Sequence, residues 1–311
     1  MTTSSRLVPQ GHWGWMIALY LFLAGTGAGA YVAGVAADIL GGGYMMLSKI
    51  GLVLSTPLVF VGMIFLILDL GQARNALFAF RRVGSSWISR GTWIISIFMV
   101  LSVLQIATRV WPFQWLAAGG ILNLSVEVVT SAFAVGTMLY TGLLLGASKP
   151  IAFWSTPILP LLFLVSASST GLMGVLLGGT VYGAGAANLL PFRQADEILI
   201  LMELLVIALF LQGTHRVEES RYSASMFING VLAKRFWGGV VCCGLVIPVL
   251  ADLLLVSFTS GTSAFVASVG GVCMLLGLAG GLLLRELILS AGVHAPLMVG
   301  SFAVPVPTQF D

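Results

Sequence analysis

The sequence predicts an all-α integral membrane protein that crosses the bilayer eight times, and three observations predict it. Only 8% of its 311 residues are charged, about a third of what a hydrated surface carries. Hydrophobic residues make up 59% of the chain, and the mean hydropathy is +1.06. The apolar residues gather into eight runs, most of them near the 20 or so needed to span hydrocarbon. Together these exclude a soluble enzyme and a nucleic-acid-binding domain. A net charge of +3 over so long a chain does not argue for polyanion partners either.

The runs lie at 13–37, 47–70, 92–110, 124–146, 153–177, 198–213, 236–258 and 265–289. The first is too long for a cleaved leader, and only Arg6 precedes it as a basic residue, so it is expected to stay as a helix. The second ends on Asp69, and the third on Arg109. The fourth opens beside Glu127, and the fifth starts among Pro157 and Pro160. The sixth is short and holds Glu203. The seventh carries Asp252, and the eighth ends with Arg285-Glu286. Many of the 38 glycines fall inside these runs, as in Gly25-Thr26-Gly27-Ala28-Gly29. In lipid, glycines at such spacing let helices approach closely. No strand precedes this run, so a phosphate-binding turn is not the reading.

An even number of crossings puts both termini on one face. Eleven of the 14 Lys and Arg residues then share that face; the opposite one has only Lys49, Arg109 and Arg193. By the positive-inside rule the termini are cytoplasmic. The same face holds the longest polar connections, 71–91 and 214–235, and the tail, so it is the expected docking surface.

Three cysteines, Cys242, Cys243 and Cys273, are too few for an iron–sulfur cluster and form no CxxC pair. Three histidines, His12, His215 and His294, lie outside the centres of the runs, which argues against a bis-histidine haem. No haem, cluster or metal site is expected in this chain.

Several segments, in order over nearly the whole chain, resemble the NrfD/PsrC family of polysulfide-reductase-type membrane subunits. They are the opening helix from Trp15 to Gly25, the end of the second run Leu68-Asp69-Leu70-Gly71, and Tyr140-Thr141-Gly142. Further along come the segment from Pro157 to Phe163, Ser169-Thr170-Gly171, and Leu284-Arg285-Glu286 followed by Ala291-Gly292. Gln72-Ala73 stand where the family has Arg-Pro. The resemblance implies eight helices in two four-helix bundles, here residues 1–291, with an extended tail at 292–311 on the docking face. It also implies electron exchange between a membrane quinone (menaquinone or ubiquinone) and a ferredoxin-like iron–sulfur subunit on the terminal face. A molybdopterin or other catalytic subunit would lie beyond it. The location implied is a prokaryotic inner membrane. Many relatives dock partners on the outer side, which conflicts with the cytoplasmic termini that the basic residues favour.

Reducing or oxidising a quinone needs an apolar slot, donors to the two ring oxygens, and a path for protons. Tyr140 matches the family's quinone-site tyrosine. Tyr20 and Ile17 stand where polysulfide reductase subunits carry a histidine and an asparagine, so Tyr20 is the second donor and His12 a third candidate. Asp69, a carboxylate at the negative end of a helix dipole, is the fourth candidate. It can exchange a proton with the quinone, or pair with Arg74 or Arg285. Acids in the hydrocarbon region are costly and are functional candidates by default; Asp69, Glu203, Glu127, Asp252 and Asp38 are the expected proton-transfer groups. The competing reading, a secondary transporter or proton channel, uses the same acids, but no inverted repeat is visible.

Overall fold

The computed structural model describes residues 10, 13–69, 84, 86–109, 121–148, 150–214, 217–258, 264–293, 297–299 and 302–304. His12, Arg74, His215 and Lys149 lie outside them. Nine α-helices are found among the described residues: α1 (Trp15–Leu40), α2 (Met45–Asp69), α3 (Trp87–Arg109), α4 (Ile121–Gly146), α5 (Ile158–Val181), α6 (Ala186–Gly213), α7 (Glu218–Ile228), α8 (Ile247–Phe258) and α9 (Ala264–Ser290). A π-helical stretch, Arg235–Val246, runs directly into α8 and makes one span with it. In the tail, Leu297–Val299 pairs antiparallel with Phe302–Val304.

Among the described residues, seven helical segments are long and apolar enough to cross a membrane. They match every expected run but the sixth. That region is nonetheless helical: α6 has 28 residues, about 42 Å at 1.5 Å per residue, and begins 12 residues before position 198. Arg193, Asp196, Glu197 and Glu203 lower its hydropathy. Arg193 and Asp196 are turned inward, so a charged sequence still makes a packed helix. Large apolar side chains such as Val100, Leu104, Leu201, Leu205, Leu253 and Leu254 stay exposed around the periphery, where the surrounding medium is hydrocarbon.

α1 lies at the centre, in contact with α2, α4, α5 and α9. Of its apolar window 72% is buried, against 28% for Trp87–Ala107, which faces outward. The α1–α5 crossing shows why the glycines are there. A Cβ at Gly29 would stand 2.1 Å from the Ala167 carbonyl oxygen, and one at Gly171 would stand 2.3 Å from the Ala30 nitrogen. Only bare backbone fits, and dispersion between closely packed backbones holds the pair without a hydrophobic drive. α1 reverses into α2 through Gly41 and Gly42, at φ 64° and 56°, which side chains rarely adopt.

The π-helical stretch has a local cause. Pro248 follows it, and a proline ring clashes with the carbonyl four residues back in an α-helix. Widening the turn relieves that clash, and Ile247 N–H accordingly bonds Cys242 O, five residues back. α7 is a short amphipathic helix on the terminal side. Ser220, Ser223, Ala224 and Phe227 form its buried face, and Phe227 packs against Phe153 and Phe236.

Candidate quinone site and a buried polar seam

Two of the expected donors meet. Tyr20, five residues into α1, and Tyr140, six residues before the end of α4, both lie about 8 Å inside the terminal end of the bundle. Tyr20 is wholly buried and Tyr140 is 3% exposed. Their hydroxyls interact, yet the contact falls short of a well-formed hydrogen bond, and the Tyr20 oxygen has no other partner among the described residues. The Tyr140 ring lies flush on α3. A Cβ at Gly91 would come within 1.7 Å of its Cζ. Gly62 of α2 backs the Tyr20 turn, 3.3 Å from its carbonyl oxygen measured from an added Cβ. Two buried phenolic donors therefore meet, one left without a good acceptor among the described residues. Such an orphan donor costs about 1–3 kcal/mol and is expected where a ligand supplies the acceptor.

Asp69 ends α2 at this same end of the bundle and is half-buried. Of the alternatives open for it, pairing with Arg285 does not occur among the described contacts. Arg285 is turned away, toward α5 and its own helix, donating to Ser166 Oγ at 3.2 Å and Gly281 O at 2.7 Å. The alternative partner, Arg74, lies outside the described residues, as does His12. Near where His12 was expected to act, Gln10 ties the start of α1 to the end of α9. Its Nε2 donates to Trp13 O and Leu289 O, both at 3.0 Å, and its N–H donates to Gly292 O at 2.7 Å. Trp154 Nε1 donates to Ile288 O at 2.8 Å beside it.

The five expected proton-transfer acids are not brought together as one set. Asp38 accepts a hydrogen bond from Ser48 at 3.2 Å, at the opposite end of α1. Glu127 lies near Tyr31, whose hydroxyl donates to Gln105 and sits beside Thr130 and Ser131. Glu203 and Asp252, by contrast, lie along one buried seam between α5, α6, α8 and α9. At its opposite-face end Arg193 Nη1 meets Asp252 at 3.3 Å. Next, Asp196, 4% exposed, accepts a hydrogen bond from Ser169 at 2.8 Å. One turn along α5, Ser166 lies beside the Glu203 carboxyl and accepts from Arg285. Thr26 donates to Thr170 at 3.0 Å in the same layer. Arg285 closes the terminal end. It is fully buried, 5.5 Å from the ring centres of both Phe22 and Phe163, and its Nε and Nη2 have no hydrogen-bond partner among the described residues.

Asp196, Ser166 and Ser169 were missed from the sequence. The signal was available: Asp196 is seven residues before Glu203, which puts both on one helix face. Starting the run at 198 cut Asp196 off. Hydroxyls give no such signal, because serine is common inside membrane helices. Among the described residues, no cluster of three or more His, Cys, Asp or Glu side chains could hold a metal ion.

The comparison with known proteins agrees with this architecture. A family model described as polysulphide reductase, NrfD, matches residues 3–296. The C subunit of the polysulfide reductase of Wolinella succinogenes is 30% identical over 304 residues, covering 90% of this chain and 94% of that one. Protein NrfD of Escherichia coli is 28% identical over 307 residues, with 90% and 94% covered. An NrfD homologue from Haemophilus influenzae is 25% identical over 276 residues, covering 79% of this chain and 85% of that one. With the match running almost from end to end, the chain belongs to the NrfD family of polysulphide-reductase membrane proteins.

Proposed function

We propose that this chain is the quinone-reactive membrane subunit of a respiratory oxidoreductase, exchanging electrons between a membrane quinone and an iron–sulfur partner subunit. The observation that carries the reading is the meeting of Tyr20 and Tyr140. These are two buried phenols on different helices, near one membrane boundary, and the Tyr20 hydroxyl is unsatisfied among the described residues. The exchange involves two electrons and two protons. A quinol becoming quinone releases two protons and passes its electrons to the partner's cluster; reduction runs the same steps in reverse. Tyr20 and Tyr140 hold the ring oxygens by hydrogen bonds. Asp69, at the same end, takes or returns a proton, and His12 is the remaining candidate donor.

The relative from Wolinella is one component of a polysulfide reductase, which supports membership of a multi-subunit complex. In this reading the iron–sulfur subunit docks on the terminal face, with a molybdopterin or other catalytic subunit beyond it. Residues 1–291 form the transmembrane domain, with α6 as the eighth span in an arrangement of two four-helix bundles, and the tail 292–311 lies on the docking face. The basic residues favour a cytoplasmic terminal face in a bacterial inner membrane. Proton translocation belongs to the same proposal, with Glu203 and Asp252 as its best-supported acids because they share one seam.

The test is Tyr140→Phe in the complex purified from its native membrane. Quinone-linked turnover is expected to fall at least tenfold, while dye-linked activity of the partner subunits stays at the wild-type level. Unchanged quinone-linked turnover would remove Tyr140 from the site. A chain that purifies alone and moves a solute across liposomes would favour the transporter reading.

A further inference from the structure

We infer that the chain carries two proton systems divided by α1, and that Asp196, which was not among the expected acids, is the central group of the one that crosses the membrane. This rests on the quinone reading above and extends it. On one side of α1, Tyr20 faces Tyr140 of α4, whose ring lies against Gly91 of α3. On another, Gly25 and Phe22 face Arg285 of α9; a Cβ at Gly25 would lie 3.3 Å from its Nη2. Positions 20 and 25 are about 140° apart around the helix. The phenol pair and the acid seam therefore look out from different sides of one helix. Protons taken or released by a quinone serve its own chemistry.

The seam has the parts a relay needs. Arg193 and Asp252 form its opposite-face end, and Glu197 adds charge beside them. Asp196 is the first fully interior group, about 15 Å into α6. It accepts its hydrogen bond from Ser169, and Asp252, Glu203 and Glu197 are the charged groups that face it. Ser169 and Ser166 are three residues apart on α5, a rise of about 4.5 Å, which one bridging water spans. Ser166 then contacts both Glu203 and Arg285. Each hop exchanges one O–H proton between oxygens; nothing is oxidised or reduced. Arg285 is a positioning residue: its charge holds the Glu203 end of the relay, and the rings of Phe22 and Phe163 lie against its guanidinium. Asp38 and Glu127 lie off this line.

The experiment counts protons moved per electron by the whole complex in sealed liposomes, with a soluble quinol analogue and a dye reporting internal pH. Wild type is expected to move protons beyond those the quinone chemistry accounts for. Asp196→Asn should lower that excess at least tenfold while turnover stays within threefold of wild type. Ser169→Ala, which leaves the charge untouched, should lower it too, and Asp38→Asn should not. A wild-type excess in Asp196→Asn overturns the inference. So does loss of turnover in that variant, because the seam would then belong to the quinone chemistry. No excess in wild type, with normal turnover, overturns it while leaving the quinone reading intact. Absence of quinone-linked turnover in wild type would instead remove the reading on which it rests.

Discussion

Replacing Gly91 by alanine tests the site through packing alone, without touching a polar atom. The added Cβ would stand 1.7 Å from Tyr140 Cζ, 2.0 Å from Cε2 and 2.2 Å from Cε1. Separations this short cannot be absorbed by small adjustments, so either α3 moves off α4 or the ring leaves its place. Overpacking of this kind costs about 1–3 kcal/mol. Tyr140→Ala, which empties the space, costs about 3–5 kcal/mol on its own. In the double variant the methyl group enters the space the ring has vacated, so the two costs do not add. The cycle should return a coupling of about 1–3 kcal/mol, measured by thermal unfolding of the purified chain in detergent. Quinone-linked turnover of Gly91→Ala alone should fall about tenfold, equivalent to about 1.4 kcal/mol in the barrier, because Tyr140 no longer faces Tyr20. Additive stabilities would refute the contact. A normal stability cycle with normal turnover would refute the role of the phenol.

Tyr20→Phe removes a buried hydroxyl without a good acceptor, so unfolding should occur at the same or a higher temperature while quinone-linked turnover falls. A purely structural tyrosine would show the opposite pairing of effects. Trp154→Phe deletes the hydrogen bond to Ile288 O and should cost about 1 kcal/mol with little effect on turnover, read by the same melt. Gly171→Val places branched carbon on the Ala30 and Gly29 backbone and should prevent the α1–α5 crossing, read as loss of the folded chain from membranes.

Most of the fold was legible because lipid imposes one rule, that a span be helical and apolar over its length. Seven spans follow it. The sixth expected run was cut short because α6 places Arg193 and Asp196 on its buried face, where pairing offsets their cost. A hydropathy window sums residues regardless of the side on which they fall. The site was legible as residue types, Tyr20 and Tyr140, but not as a pair, since their meeting depends on how α1 and α4 are rotated. The acids were legible one by one. Their grouping was not, because the links are Ser166 and Ser169, and nothing in the run Ser166-Ala167-Ser168-Ser169-Thr170 says which hydroxyls face the acids.

Arg285 shows how far energetics alone can carry a functional argument. It is wholly buried, its Nε and Nη2 lack partners among the described residues, and Ser166 lies between it and the Glu203 carboxyl. Unmet donors on a buried cation are expensive, and buried ion pairs are often no better for stability than apolar residues of similar volume. Gly25 lines the guanidinium, where an added Cβ would stand 3.3 Å from Nη2, and the Gly281 carbonyl accepts from Nη1 at 2.7 Å. α1 and α9 therefore enclose a charge that folding does not need. A leucine there would pack against Phe22 and Phe163 at lower cost. What a leucine lacks is a positive charge at the end of the acid seam, one turn of α9 from the terminal face, and that charge acts on whatever anionic group Glu203 presents.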